Sequence, residues 1–168
     1  MGEIQINKTL TGAEWVTLSD MKLFLKVDYD TDDTLINSFI KSARELAEQF
    51  TNKSFAEYNI NYCQVGGWDS PIKLPYPNHL SVTDVTINGE AATFGTVGTV
   101  QKIVSISSWG VSTADGLPSE LKINYKTKGD ISDGEKSILK KIVAEMYENR
   151  SVTVSDSTLK MLFQYKVY

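Results

Sequence analysis

The chain has 168 residues and a net charge of −4, with 41% hydrophobic and 23% charged residues, one cysteine and one histidine. That length and apolar content suit one folded domain and exclude a disordered chain. A lone cysteine and a lone histidine exclude an internal disulfide and leave little for zinc or Ser-His-Asp chemistry, while the mild acidity argues against nucleic acid as a primary bound partner. No apolar run approaches the roughly 20 residues that cross a bilayer. The polar start, Met1 to Thr11, lacks the apolar stretch of a secretory signal. The expectation is a protein that acts in the cytoplasm of the cell that makes it, with no membrane partner.

Residues 1–14 are polar, contain Gly2 and Gly12, and read as a loose N-terminal arm. At Thr17-Leu18-Ser19-Asp20 the hydroxyl and the acid three residues on have the form of a capping box. Leu18, Met21 and Leu25, with Phe24 beside them, then make a short amphipathic helix that ends near Lys26. Acids cluster again at Asp30, Asp32 and Asp33, where the positive end of a helix dipole favours them. From there Leu35, Ile36, Phe39, Ile40, Ala43, Leu46, Ala47 and Phe50 form one apolar stripe, the clearest period in the chain. Asn37, Lys41, Arg44, Glu45 and Glu48 fill the opposite, polar side, and Asn52 suits a left-handed C-cap.

Between about Tyr58 and Lys128 the period falls to two. Tyr58, Ile60 and Tyr62 alternate with polar residues, as do Val85 and Ile87, and Leu121, Ile123 and Tyr125. Asn88-Gly89 is a hairpin-turn signal, and Gly66-Gly67, Pro71, Pro75, Pro77, Gly110, Gly116 and Pro118 punctuate the stretch. This is the pattern of a small antiparallel sheet with one wet face. Helix resumes at Ser132 to Glu135, with Ile138, Leu139, Ile142, Val143, Met146 and Tyr147 on its apolar face and Lys136, Lys140 and Lys141 largely away from it. The end of the chain, 158–168, is rich in large apolar groups. The fold class expected is α+β in a single domain, 1–168. It holds a helical core (15–55 and 131–150) of one short and two long amphipathic helices, an inserted antiparallel β region (56–129) and a C-terminal arm (151–168).

The stretch from Trp15 to Asp28, the pair Asp32-Asp33 and the long helix ending in Thr51-Asn52-Lys53 resemble the opening of the tailed-bacteriophage head–tail connector family. The later helix, with Met146-Tyr147-Glu148-Asn149-Arg150, is similar to that family's closing helix. Asn52 stands where the family usually has Gly, and 56–129 shows no recognisable family pattern. The resemblance implies a structural virion protein and not an enzyme. Such a subunit forms a ring, commonly of twelve copies, under the portal, links the DNA-filled head to the tail, and contacts the portal protein and a tail-side stopper or tail-completion protein. DNA would pass through the lumen without sequence-specific binding.

Chemical readings of single residues are weaker than bland ones. Asp28, Asp30 and Asp32 begin like a calcium loop, but Asp33 and Phe39 stand where Gly and a bidentate Glu are needed. Cys63 and His79 lack a third orienting group and read as a packed thiol and a surface histidine. No catalytic residue, metal or cofactor is expected. The candidate subunit or portal contacts are Phe163, Tyr165 and Tyr168, because aromatic side chains dominate interface hot spots, unless they fold back onto the subunit's own sheet, and Arg150, a cation suited to the helix end that could also form an inter-subunit ion pair. The rivals are a monomeric adaptor or regulator acting through the C-terminal arm, and a small soluble enzyme using Asp32, Asp33 and Glu148.

Overall fold

The computed structural model describes residues 2–76, 78–98, 103–107 and 120–167. The turn signals at Pro77, Gly110, Gly116 and Pro118, and the candidate contact Tyr168, lie outside them. The sequence reading treats the chain as a single domain. The described residues cluster into two compact units, within 1–12 with 56–129 and within 13–55 with 130–168. Each has its own apolar core.

In the helical unit, α1 (Leu18–Leu25) starts at the expected capping box, with the Thr17 hydroxyl accepting from the Asp20 amide at 3.1 Å and Asp20 answering onto the Thr17 amide at 3.3 Å. The first long helix of the unit is α2 (Asp33–Thr51), which ends on Asn52 in the left-handed conformation (φ 56°), so the amide side chain is tolerated where Gly is usual. The closing helix α3 (Asp133–Asn149) has a second capping box, Ser132 with Glu135, and stops on Arg150 at φ 51°. The stripes of α2 and α3 meet in one core, joined by Met21 and Leu162. In segment 151–167, α4 (Asp156–Lys160) and a 3-10 turn (Phe163–Tyr165) fold back, Leu162 is fully buried, and the Val167 amide donates to the Thr51 carbonyl. A run this apolar lowers its free energy by docking on the nearest apolar surface, here the unit's own helices.

The polar side of α2 is also not all solvated. Arg44 and Glu48 are buried. Glu48 accepts from the Phe55 amide at 2.8 Å and faces Arg44 at 3.4 Å, and Arg44 pairs with Glu14 at 3.0 Å. Hydrogen-bonded ion pairs make such burial tolerable. A second buried acid, Glu135, is held by Lys53 at 2.7 Å.

In the sheet unit, residues 3–10 are no loose arm but a strand, β1 (Glu3–Leu10), paired antiparallel along its whole length with β2 (Tyr58–Val65). Next come β3 (Ile72–Lys73), β4 (His79–Ile87), β5 (Glu90–Ala91), β6 (Phe94–Val97), β7 (Ile103–Ile106) and β8 (Glu120–Thr127). One sheet runs β1-β2-β8-β4-β5 and a smaller one β3-β7-β6. Their apolar faces share a core around Ile60, Leu74, Leu121, Ile123 and Tyr125. Asn88 (φ 51°) and Gly89 (φ 86°) make the expected tight turn between β4 and β5. His79 is not on the surface: it is buried, with its ring edge-on to Tyr125 at 5.1 Å and Nε2 3.0 Å from the Pro75 carbonyl. Among the described residues, no helix is long and apolar enough to cross a membrane.

Candidate interaction surface

The acids at the start of α2 and the last residues of α3 come together. Tyr147 donates to Asp32 Oδ2 at 2.5 Å, and Arg150 Nη2 donates to the same oxygen at 2.9 Å. The Tyr29 and Tyr147 hydroxyls lie 3.2 Å apart, and the Arg150 guanidinium sits 4.6 Å from the Tyr147 ring centroid. The Arg150 and then the Tyr147 hydrogen bond hold the Asp32 carboxyl below its ordinary pKa, and the same carboxylate raises that of Tyr147. Next to this cluster, Lys22 bridges Asp30 at 2.6 Å and Asp33 at 2.8 Å. The two sequence features that carry the connector resemblance therefore meet in one polar staple. Arg150 makes its ion pair inside the subunit, and its side chain remains half exposed.

These carboxylates are occupied as partners of cations and hydroxyls, which makes Asp32 an ionised anchor and a poor proton donor. Among the described residues, no group of three or more His, Cys, Asp or Glu side chains is placed to hold a metal ion. Cys63 donates to Glu120 at 3.6 Å, and burial pushes its thiol up, away from the thiolate a nucleophile needs. Lys136 and Lys140 face Asp20 at 3.9 Å and 3.8 Å, so two of the three helix lysines answer an acid of the same unit.

The candidate contacts at the chain end separate by exposure. Phe163 is 51% exposed, with its ring edge-on to Phe50 at 5.0 Å. Tyr165 packs against the unit's own core, and its hydroxyl reaches the Gly134 backbone, where a Cβ would collide with it. Met161 and Val152 are also exposed. The sequence reading missed a second apolar patch, on α1: Leu23 is 83% and Phe24 51% exposed. The signal was present, since Leu23, Phe24 and Leu25 are consecutive and a helix cannot turn three neighbours to one side.

The wet face of the larger sheet is rich in amides. Asn7, Asn61, Asn124 and Asp84 lie in register across β1, β2, β8 and β4. Asn61 donates to Asn124 at 2.7 Å, and Asn124 to Asp84 at 3.3 Å. Nothing in this row activates a nucleophile or gathers positive charge. The fold is of the α+β class.

Residues 15–91 match the family of phage gp6-like head-tail connector proteins, which confirms the resemblance to head–tail connectors read from the sequence. The match runs past α2 into the strand region as far as β5, where the sequence alone shows no family pattern. No curated protein matches the chain. Among solved structures, a chain in the virion of a native gene transfer agent particle is similar in fold, with a TM-score of 0.75 at 12% identity, over 97% of this chain and 95% of that one. A chain in the neck of an empty particle of that kind, computed with C6 symmetry, has a TM-score of 0.69 at 13% identity, over 98% and 96%. At such identities the likeness is one of fold.

Proposed function

We propose that this chain is a structural connector subunit of a tailed virion, which forms a ring under the portal and joins the DNA-filled head to the tail. The observation that carries the reading is the coincidence of two independent likenesses. A connector family model covers the first helices and the strands after them, and nearly the whole chain shares its fold with a chain from a particle neck. That neck structure was computed with sixfold symmetry, and a ring of twelve, as the sequence resemblance implies, is compatible with such an axis. Copies around an axis need two unlike patches per subunit, and the exposed Leu23-Phe24 pair and the Phe163 region are candidates on the helical unit. Arg150, Tyr165 and Tyr168 remain proposed contacts, secondary to Phe163.

In this reading the partners are further copies of the chain, the portal protein, and a tail-side stopper or tail-completion protein. DNA passes through the lumen unread, which an acidic chain favours because a strongly basic lumen would grip the phosphates. The protein has no catalytic role, assembles in the host cytoplasm and ends in the virion at the head–tail interface. Light scattering of the purified chain, alone and with the candidate portal ring, tests this. A large closed oligomer, or stoichiometric capture by the portal, is expected. A monomer that ignores the portal over a wide concentration range would overturn it.

A further inference from the structure

The larger sheet ends in two unlike edges. At one end, β1 runs in unbroken register with β2 from Glu3 opposite Val65 to Leu10 opposite Tyr58, with no proline and no bulge. Among the described residues β1 is paired on one side only. A long, straight edge of this kind is a template for a further strand, and folded proteins usually blunt such edges with bulges, prolines or lysines. Here the edge carries one lysine, Lys8, whose ammonium lies over the rings of Tyr58 at 4.9 Å and Tyr76 at 4.4 Å, and Ile4 is 54% and Leu10 41% exposed. Its start is also fixed in place, because Gly2 lies against the Gly66 carbonyl so closely that a Cβ would collide with it.

At the other end, β4 pairs with β5 only through Thr86 and Ile87, so 80–85 carries a strand on one side only among the described residues. Its register against β8 shifts twice, between His79 and Ser81 and between Val82 and Asp84, which bends the strand. Leu80, on this edge, is 56% exposed. The directions of the strands matter most. Each neighbour in the order β1-β2-β8-β4 is antiparallel to the next, so β1 and β4 run in opposite senses. A second copy laid beside β1 in the same orientation presents its β4 antiparallel to it, and the sheet continues without reversal.

We propose that β1 of one subunit pairs antiparallel with 80–85 of β4 in a second copy, a head-to-tail sheet contact between subunits. The contact joins unlike edges, so it is of the heterologous kind that can close into a ring. The proposal takes the existence of a ring from the connector reading and adds which surfaces make it.

The test uses the full chain, alone at rising concentration and with the candidate portal ring. In the assembled form, amides of β1 are expected to exchange hydrogen more slowly than in the monomer, by about tenfold or more. A photoreactive benzophenone side chain at Gln5, in assemblies mixed from isotopically light and heavy chains, is expected to join a peptide containing 80–85 of another copy. The edge-blunting variant Ile4→Lys is expected to keep its circular dichroism and to lose self-association. Cross-links to β1 of a second copy, to a different protein, or only within one chain would each overturn the contact. Portal capture with unchanged β1 exchange overturns the contact alone, whereas a chain that neither oligomerises nor is captured overturns the connector reading with it.

Discussion

Asp32 occupies the N-cap of α2, yet its side chain makes no capping bond. It is spent instead on Tyr147 and Arg150, so it fastens one helix start to another helix end. Its folded pKa lies below the ordinary value of 3.8, so its contribution is present above that value and is lost as pH falls through the folded one. Replacing it by Asn should therefore lower the denaturation midpoint at neutral pH, and the gap to the parent should close as unfolding is followed down from about pH 5 toward pH 2. A gap that stays constant over that range would refute the assignment. Glu48 works differently, because it is fully buried and caps the otherwise unsatisfied Phe55 amide. Glu48→Ala leaves that amide and part of the Arg44 charge unanswered, at a cost of about 3 kcal/mol in denaturant unfolding, with Glu48→Gln recovering a large part.

Among the elements, the helix starts rest on short-range hydrogen bonds. Thr17→Ala and Ser132→Ala should each cost about 1 kcal/mol. The terminal segment depends on one side chain: Leu162→Ala should cost about 2–5 kcal/mol and increase proteolysis between 151 and 168, whereas an arm docked only on a partner would show neither in the isolated chain. The same contrast explains what could be read from sequence. Thr17, Ser132, Asn52 and Asn88-Gly89 obey rules that act within a few residues, and the structure follows them. The place of His79 and the burial of Arg44 involve partners far along the chain, Tyr125 for His79 and Glu14 for Arg44. β1 fell between these cases, since Ile4, Ile6 and Leu10 do alternate with Gln5, Asn7 and Thr9, but an edge strand with exposed aliphatic groups looks like a polar arm. The sequence pointed to Arg150, Phe163, Tyr165 and Tyr168 as contacts, of which Phe163 is half exposed, while the exposed Leu23-Phe24 pair was legible only from three consecutive apolar residues on one helix.

For the whole molecule, the order in which the chain visits its two units is unusual. It begins in the sheet unit, leaves it after residue 12, returns at 56 and leaves again after 129. Each unit is thus an interruption of the other, and no single cut releases either of them whole. The consequence appears during synthesis. The chain makes β1 first, but its partner β2 arrives only after both α1 and α2 have been made. The apolar stripe of α2 then waits for α3 until the entire strand region has left the ribosome. A nascent chain stalled before residue 130 would hold the described strands and an uncovered helix, a state that invites aggregation. Translation that stops early should yield insoluble or rapidly degraded fragments, so the soluble chains in a cell extract should be those read through to the last helices.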